Sequence, residues 1–260
     1  MQQLNVVICG FDHYENIDVN PSYEVPEALV RDGIGEPSDV DDPLHDANVS
    51  INTVALPVSF ANAWPTLLET LDATRPDIVI ATGLKHAAHS VAMERCATNL
   101  MNAARPDADN ALPRFEPIIK DGPAAYWTRL PLRAIINDFA RDGIPATLSS
   151  DAGTFVCNSL FYQLLHWTAT QDRVLAGFVS FPPINGGSRL QNGLGAMCGA
   201  RRSVIICSRR PGIFSSPDVL LGCSWFLAGM CVRSRMVRRV SGVGLTPCGT
   251  VVCGCANEQV

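Results

Sequence analysis

The stretch "DIVIATG", residues 77–83, decides the fold. Ile78, Val79 and Ile80 are three β-branched residues in a row, with no polar alternation, and Gly83 stops the run. A strand that is apolar on both faces must be covered on both faces, which is the condition of a parallel sheet between two layers of helices. Upstream, "AWPTLLETLDATR" (63–75) sets Leu67, Leu68 and Leu71 at helical spacing, and "INTVALPVSF" (51–60) reads as a strand. "NVVICG" (5–10) is a second buried strand, followed by the turn-like "FDHYENIDVNPS" and a short helix in "EVPEALVRDG" (24–33). Downstream, "LRAIINDFARDGIP" (132–145) is an amphipathic helix stopped by Gly143, and "ATLSSDAG" is a strand and turn. A helix opening at Cys157 and a strand in "VLAGFVSF" (174–181) complete the series. This alternation predicts a three-layer α/β/α sandwich with a mostly parallel sheet over residues 1–181. Ligands of such folds sit beyond the C-terminal strand ends, where Gly10, Gly83 and the turn before Cys157 are expected.

The 260-residue chain is 47% hydrophobic, enough for a substantial core. Its opening "MQQLNVVICG" lacks the basic start of a signal peptide. No run reaches the roughly 18 apolar residues of a membrane span. A cytoplasmic protein that does not enter a membrane is the expectation. Composition breaks near residue 182. Residues 1–181 hold 11 Lys and Arg against 23 Asp and Glu, whereas 182–260 hold nine Arg, no Lys, and only Asp218 and Glu258. Seven of the ten cysteines also lie in that last stretch. Residues 182–260 therefore read as an atypical Arg/Gly/Ser/Cys-rich tail. An out-of-frame reading, a foreign fusion, a disordered segment and a genuine extension all fit its composition. Its cysteine spacings match no structural zinc pattern, since Cys253 and Cys255 form only a C-x-C and the tail has no histidine. Its arginines lack the interleaved aromatics of a nucleic-acid surface. Neither a metal nor nucleic acid is expected as a partner.

The segment "SSDAGTFVCNSLFYQLLH" (149–166) places Cys157 after small residues, at the start of a helix marked by Leu160, Phe161, Leu164 and Leu165. Unpaired N–H groups at a helix start favour a thiolate, so Cys157 is a candidate nucleophile. A small buried hydrophobe is the alternative. A nucleophilic cysteine needs an imidazole within reach. His166 is more than two helical turns away, His13 and His45 lie in acidic loops, and His86 and His89 follow the strand ending at Gly83. Glu94, in "AMERCATN", is an acidic candidate that by itself reads as a solvated helix charge.

Five segments read together narrow this. "CGFDHYENIDVNPS" (9–22), "MERCATN" (93–99), "KDGPAAYWTRLPLRAI" (120–135), "DAGTFVCNSLFYQLLH" (151–166) and "LAGFV" (175–179) resemble, in this order, the pyroglutamyl peptidase I family, also called pyrrolidone-carboxylate peptidase. The resemblance implies a cysteine peptidase with a Glu–Cys–His triad and no cofactor or metal, often tetrameric, that removes N-terminal 5-oxoproline from peptides in the cytoplasm. It places Cys157 on the nucleophile and Glu94 on the acidic triad member. It places Phe11, Tyr14, Phe155 and Val156 on the lactam pocket, and Asn20 on the Asn-Pro of the N-terminal motif. Where the family carries its histidine after a "GFV" strand, this chain has Ser180. Leu84 and Ala88 stand where a glutamine and an arginine are usual, and Arg105 is displaced by one residue. A hydroxyl is no base near neutral pH. Two readings follow: a pyroglutamyl peptidase acting through a Cys157 acyl-enzyme, or an inactive homologue that at most binds pyroglutamyl peptides. A rescue by His86 or His89 swinging in from the loop after Gly83 is a separate route to activity.

Overall fold

Along β1 (Gln2–Phe11) the side chains divide by parity. Val6 and Ile8 pack into one core cluster, Val7 and Cys9 into the other, and all four are fully buried. Successive side chains of a strand point to opposite faces, so this split places β1 between two layers. The computed structural model describes residues 2–14, 19–33 and 45–183, all within one compact unit, Met1–Phe214. The expected tail, apart from Pro182 and Pro183, lies outside the described residues.

The sheet runs β2 (Ala47–Leu56), β1, β3 (Ile78–Leu84), β8 (Leu175–Phe181), β4 (Val91–Glu94) and β7 (Ala146–Ser149). The "DIVIATG" stretch is β3, paired in parallel with β1 and β8 and buried from Ile78 to Gly83. Helices α1 (Pro21–Asp32) and α3 (Leu132–Arg141) cover one face through Val25, Leu29, Leu132, Ile135 and Phe139. Helices α2 (Ala63–Thr74) and α4 (Val156–Thr168) cover the other through Leu67, Leu71, Leu160, Phe161 and Leu164. Fully burying side chains of this size contributes about 2 kcal/mol each before entropy is counted. The three-layer α/β/α architecture is as expected.

The structure differs from the expectation at β4. "VAME" was expected to be helical, but it forms a four-residue strand antiparallel to β8 and parallel to β7. All four of its residues are buried, so neither a two- nor a 3.6-residue period shows in so short a run. Glu94 is consequently no solvated helix charge; it is fully buried. A second sheet, β5 (Cys96–Thr98) against antiparallel β6 (Ala125–Trp127), was also not anticipated.

The end of β1 is fastened to the start of α1. Asn20 caps the helix by accepting from the Ser22 N–H, and its Nδ2 donates to the carbonyls of Phe11 and Asp12. A Cβ on Gly10 would overlap the Ser22 carbonyl, a backbone atom that cannot step aside. Gly10→Ala is therefore expected to destabilise the fold by about 3 kcal/mol, read as a lower urea midpoint with an unchanged slope.

Candidate active site

The turn into α4 is built by short-range hydrogen bonds. The Gly153 N–H donates to Asp151 Oδ1, and Gly153 adopts φ +77°, a left-handed conformation that favours glycine. Thr154 is tied to Asn102 through the Asn102 N–H, which donates to its carbonyl, and through its own hydroxyl, which donates to the Asn102 carbonyl. Asn158 fastens the first turn of α4 to β5. Its Oδ1 accepts from the Thr98 N–H, and its Nδ2 donates to the carbonyls of Thr98 and Leu100. Replacing Asn158 by alanine removes three hydrogen bonds to the backbone, of whose partners the Thr98 carbonyl still accepts from the Leu100 N–H. It is expected to lower stability by about 3 kcal/mol in urea titration.

These constraints set Cys157 in the first turn of α4, partly exposed, against β3. A Cβ on Gly83 would stand 3.0 Å from its Sγ. Here the expectation of a thiolate is corrected. Burial pushes the Cys157 thiol up from 9.0 to about 12, and the Glu94 charge pushes the same way. The backbone N–H of Cys157 and the ammonium of Lys85 pull it down by less. The helix start does favour the anion, but desolvation outweighs it.

Glu94 lies at the centre of a polar knot. The Ser180 hydroxyl donates to its Oε1 at 2.7 Å, and Lys85 Nζ donates to the same oxygen at 3.1 Å. Oε2 is buried without a hydrogen bond among the described residues. Lys85 Nζ also donates to Ser149 Oγ at 3.1 Å and to the Asp151 carbonyl. Parity explains the convergence. Gly83 and Ser180 share the parity of Ala81 and Phe178, which pack in the α4 cluster. Glu94 pairs with Phe178 and lies opposite in parity to Val91 and Met93 of the other cluster, so all three point toward the α4 layer.

An aromatic wall stands nearby. The Phe155 ring packs edge-on to Phe60, with centroids 5.3 Å apart. The Arg105 guanidinium lies over Phe155 at 5.6 Å and over Tyr14 at 5.7 Å. The Tyr14 hydroxyl donates to the Pro106 carbonyl. Buried Asp107 holds the two supporting loops together, accepting from the N–H groups of Phe60, Asp109 and Ala111. Phe11 and Val156 are buried in the same cluster as Phe155 and Cys157.

A family model described as pyroglutamyl peptidase matches residues 4–200. The chain belongs to the pyroglutamyl peptidase family. The pyrrolidone-carboxylate peptidases of Bacillus licheniformis and Chromobacterium violaceum are each 37% identical to it, over 178 and 177 residues. Each match covers 68% of this chain and 77% of the relative. The crystal structure of Bacillus amyloliquefaciens pyroglutamyl peptidase I superposes with a TM-score of 0.67 at 30% identity, covering 78% of this chain and 97% of that one. Pyrrolidone carboxyl peptidase from Thermococcus litoralis gives 0.66 at 28% identity, covering 78% and 93%. The family match extends past the compositional break at residue 182.

In this pyroglutamyl peptidase homologue, Glu94 and Ser180 are in direct contact, and the Glu94 charge bears on the Cys157 thiol. Tyr14 and Phe155 share Arg105. The histidines are placed elsewhere. His86 and His89 are exposed in the turn after β3, and His166 Nδ1 is hydrogen-bonded to the Tyr126 hydroxyl at 2.8 Å. Among the described residues no histidine hydrogen-bonds Glu94. No three of the described His, Cys, Asp and Glu residues converge as a metal site requires. Lys85 and Phe60 were not singled out from the sequence. Lys85 had one signal, its place directly after the strand that ends the "DIVIATG" run.

Proposed function

We propose that this chain removes N-terminal pyroglutamate from peptides, with Cys157 as nucleophile and Phe11, Tyr14, Phe155 and Val156 forming the pocket for the lactam ring. The observation that carries this reading is the thiol of Cys157 at the first turn of α4, against Gly83 and within the field of buried Glu94. A flat, neutral lactam suits an aromatic and aliphatic recess that offers a few backbone partners. The Cys157 thiolate attacks the acyl carbonyl, and N–H groups at the helix start stabilise the oxyanion. Collapse breaks the C–N bond and expels the amine, which takes its proton from water. A second water hydrolyses the thioester, releasing pyroglutamate and restoring the thiol. With the thiol at about 12, turnover is slow at neutral pH and rises in alkali.

The 2.7 Å bond from Ser180 to Glu94 favours a second reading, in which the pocket binds pyroglutamyl peptides without cleaving them. Release of a fluorescent amine from a pyroglutamyl amide, beside the matching prolyl amide, separates the two. Release from the pyroglutamyl amide alone, lost in Cys157→Ala, is the expected result. Equal release in Cys157→Ala would remove Cys157 from the mechanism. No release at any pH would leave the binding reading.

A further inference from the structure

We propose that Lys85 is a positioning residue that, through its pairing with Glu94, restrains any imidazole placed at residue 180. Three observations carry this. Lys85 Nζ and the Ser180 hydroxyl share one oxygen of Glu94, at 3.1 and 2.7 Å, so the ammonium lies beside the side chain of residue 180. Lys85 also holds Ser149 and the Asp151 carbonyl, which fastens the turn leading into α4. Its three donor hydrogens thus meet three acceptors, a carboxylate, a hydroxyl and a carbonyl, which is the full donor capacity of an ammonium group. Its part is to balance charge.

The consequence concerns the field at residue 180. A carboxylate facing an imidazole favours the imidazolium, and the imidazolium in turn favours the cysteine thiolate. With Lys85 already on Glu94, a cation stands next to the imidazole and offsets part of the carboxylate's pull. Imidazolium formation is then disfavoured. Lys85 also favours the Cys157 thiolate directly, so the two effects of its removal oppose each other at Cys157, and the alkylation rate reads their balance.

The test compares Ser180→His with Ser180→His/Lys85→Gln and Ser180→His/Lys85→Arg in the full chain. Glutamine removes the charge but keeps an N–H donor for Asp151, and arginine keeps the charge. Two readouts are taken. The first is iodoacetamide alkylation of Cys157 at pH 7, followed on its own peptide by mass spectrometry. It needs no substrate, so it stands apart from the proposed peptidase activity. The Lys85→Gln double variant is expected to alkylate about tenfold faster than Ser180→His alone, the effect of roughly one pKa unit. The Lys85→Arg double variant should match Ser180→His. The second readout is pyroglutamyl amide hydrolysis, which rests on the reading above. There kcat should rise by a similar factor with KM unchanged, and the acidic limb of the pH profile should move up. Equal or slower alkylation in the Lys85→Gln double variant, at a thermal midpoint matching that of Ser180→His, would overturn the role of Lys85. Faster alkylation with no hydrolysis in any variant would uphold Lys85 and overturn the peptidase reading instead.

Discussion

Alkylation of Cys157 is expected to accelerate about tenfold per pH unit from roughly pH 7 to pH 10, with no plateau near pH 9. The thiolate is the reactive form, and burial together with Glu94 pushes the thiol up to about 12. Below that value the thiolate is a minor species whose fraction grows with each lost proton; at neutral pH it is on the order of one part in 10⁵. An unperturbed thiol would level off near pH 9. The rate is followed on the peptide carrying Cys157, because nine other cysteines are present. Pyroglutamyl amide hydrolysis should follow the same slope. A plateau near pH 9 would show that the helix start and Lys85 outweigh desolvation after all.

Ser180→His is the variant with the largest expected gain. The hydroxyl of Ser180 is buried and spends its proton on Glu94 Oε1, while Oε2 has no hydrogen bond among the described residues. An imidazole there would have a carboxylate to orient it, a thiol from which to take a proton, and a leaving amine to which to return it. General acid–base catalysis of this kind contributes about 10²–10⁴-fold, so amide hydrolysis near neutral pH should rise by about 10², the low end, while Lys85 remains. The steep alkaline dependence should flatten in the same variant. An unchanged rate, with the lactam pocket shown by inhibitor binding to be intact, would mean that residue 180 does not face the thiol.

Much of the fold was legible because its signals are local. The unbroken apolar run of β3, the helical spacing in α2 and the apolar run "VVIC" of β1 each lie within a dozen residues. The backbone period converts such patterns directly into buried faces. The boundaries moved by a few residues: β2 ends at Leu56 rather than running to residue 60, and α1 begins at Pro21 rather than 24. Short β4 was missed because four consecutive buried residues carry no period. Cys157 was legible for the same reason as β3, since the small turn and the apolar helical face adjoin it in sequence. Its ionisation was not, because desolvation comes from packing that the helix start does not specify.

The sequence by itself determined the α/β alternation, the helix start carrying Cys157 and a serine at residue 180. Tertiary structure alone decided what surrounds that thiol. Lys85 reaches Ser149 across 64 positions of chain, and Ser180 reaches Glu94 across 86. The strand order β3-β8-β4-β7 brings them together. Periodicity is a property of neighbours along the chain, whereas the partner of a buried charge is set by which strands lie side by side. Glu94 could therefore be named from its motif, but its burial, and the lysine that answers it, emerged only once the sheet was assembled.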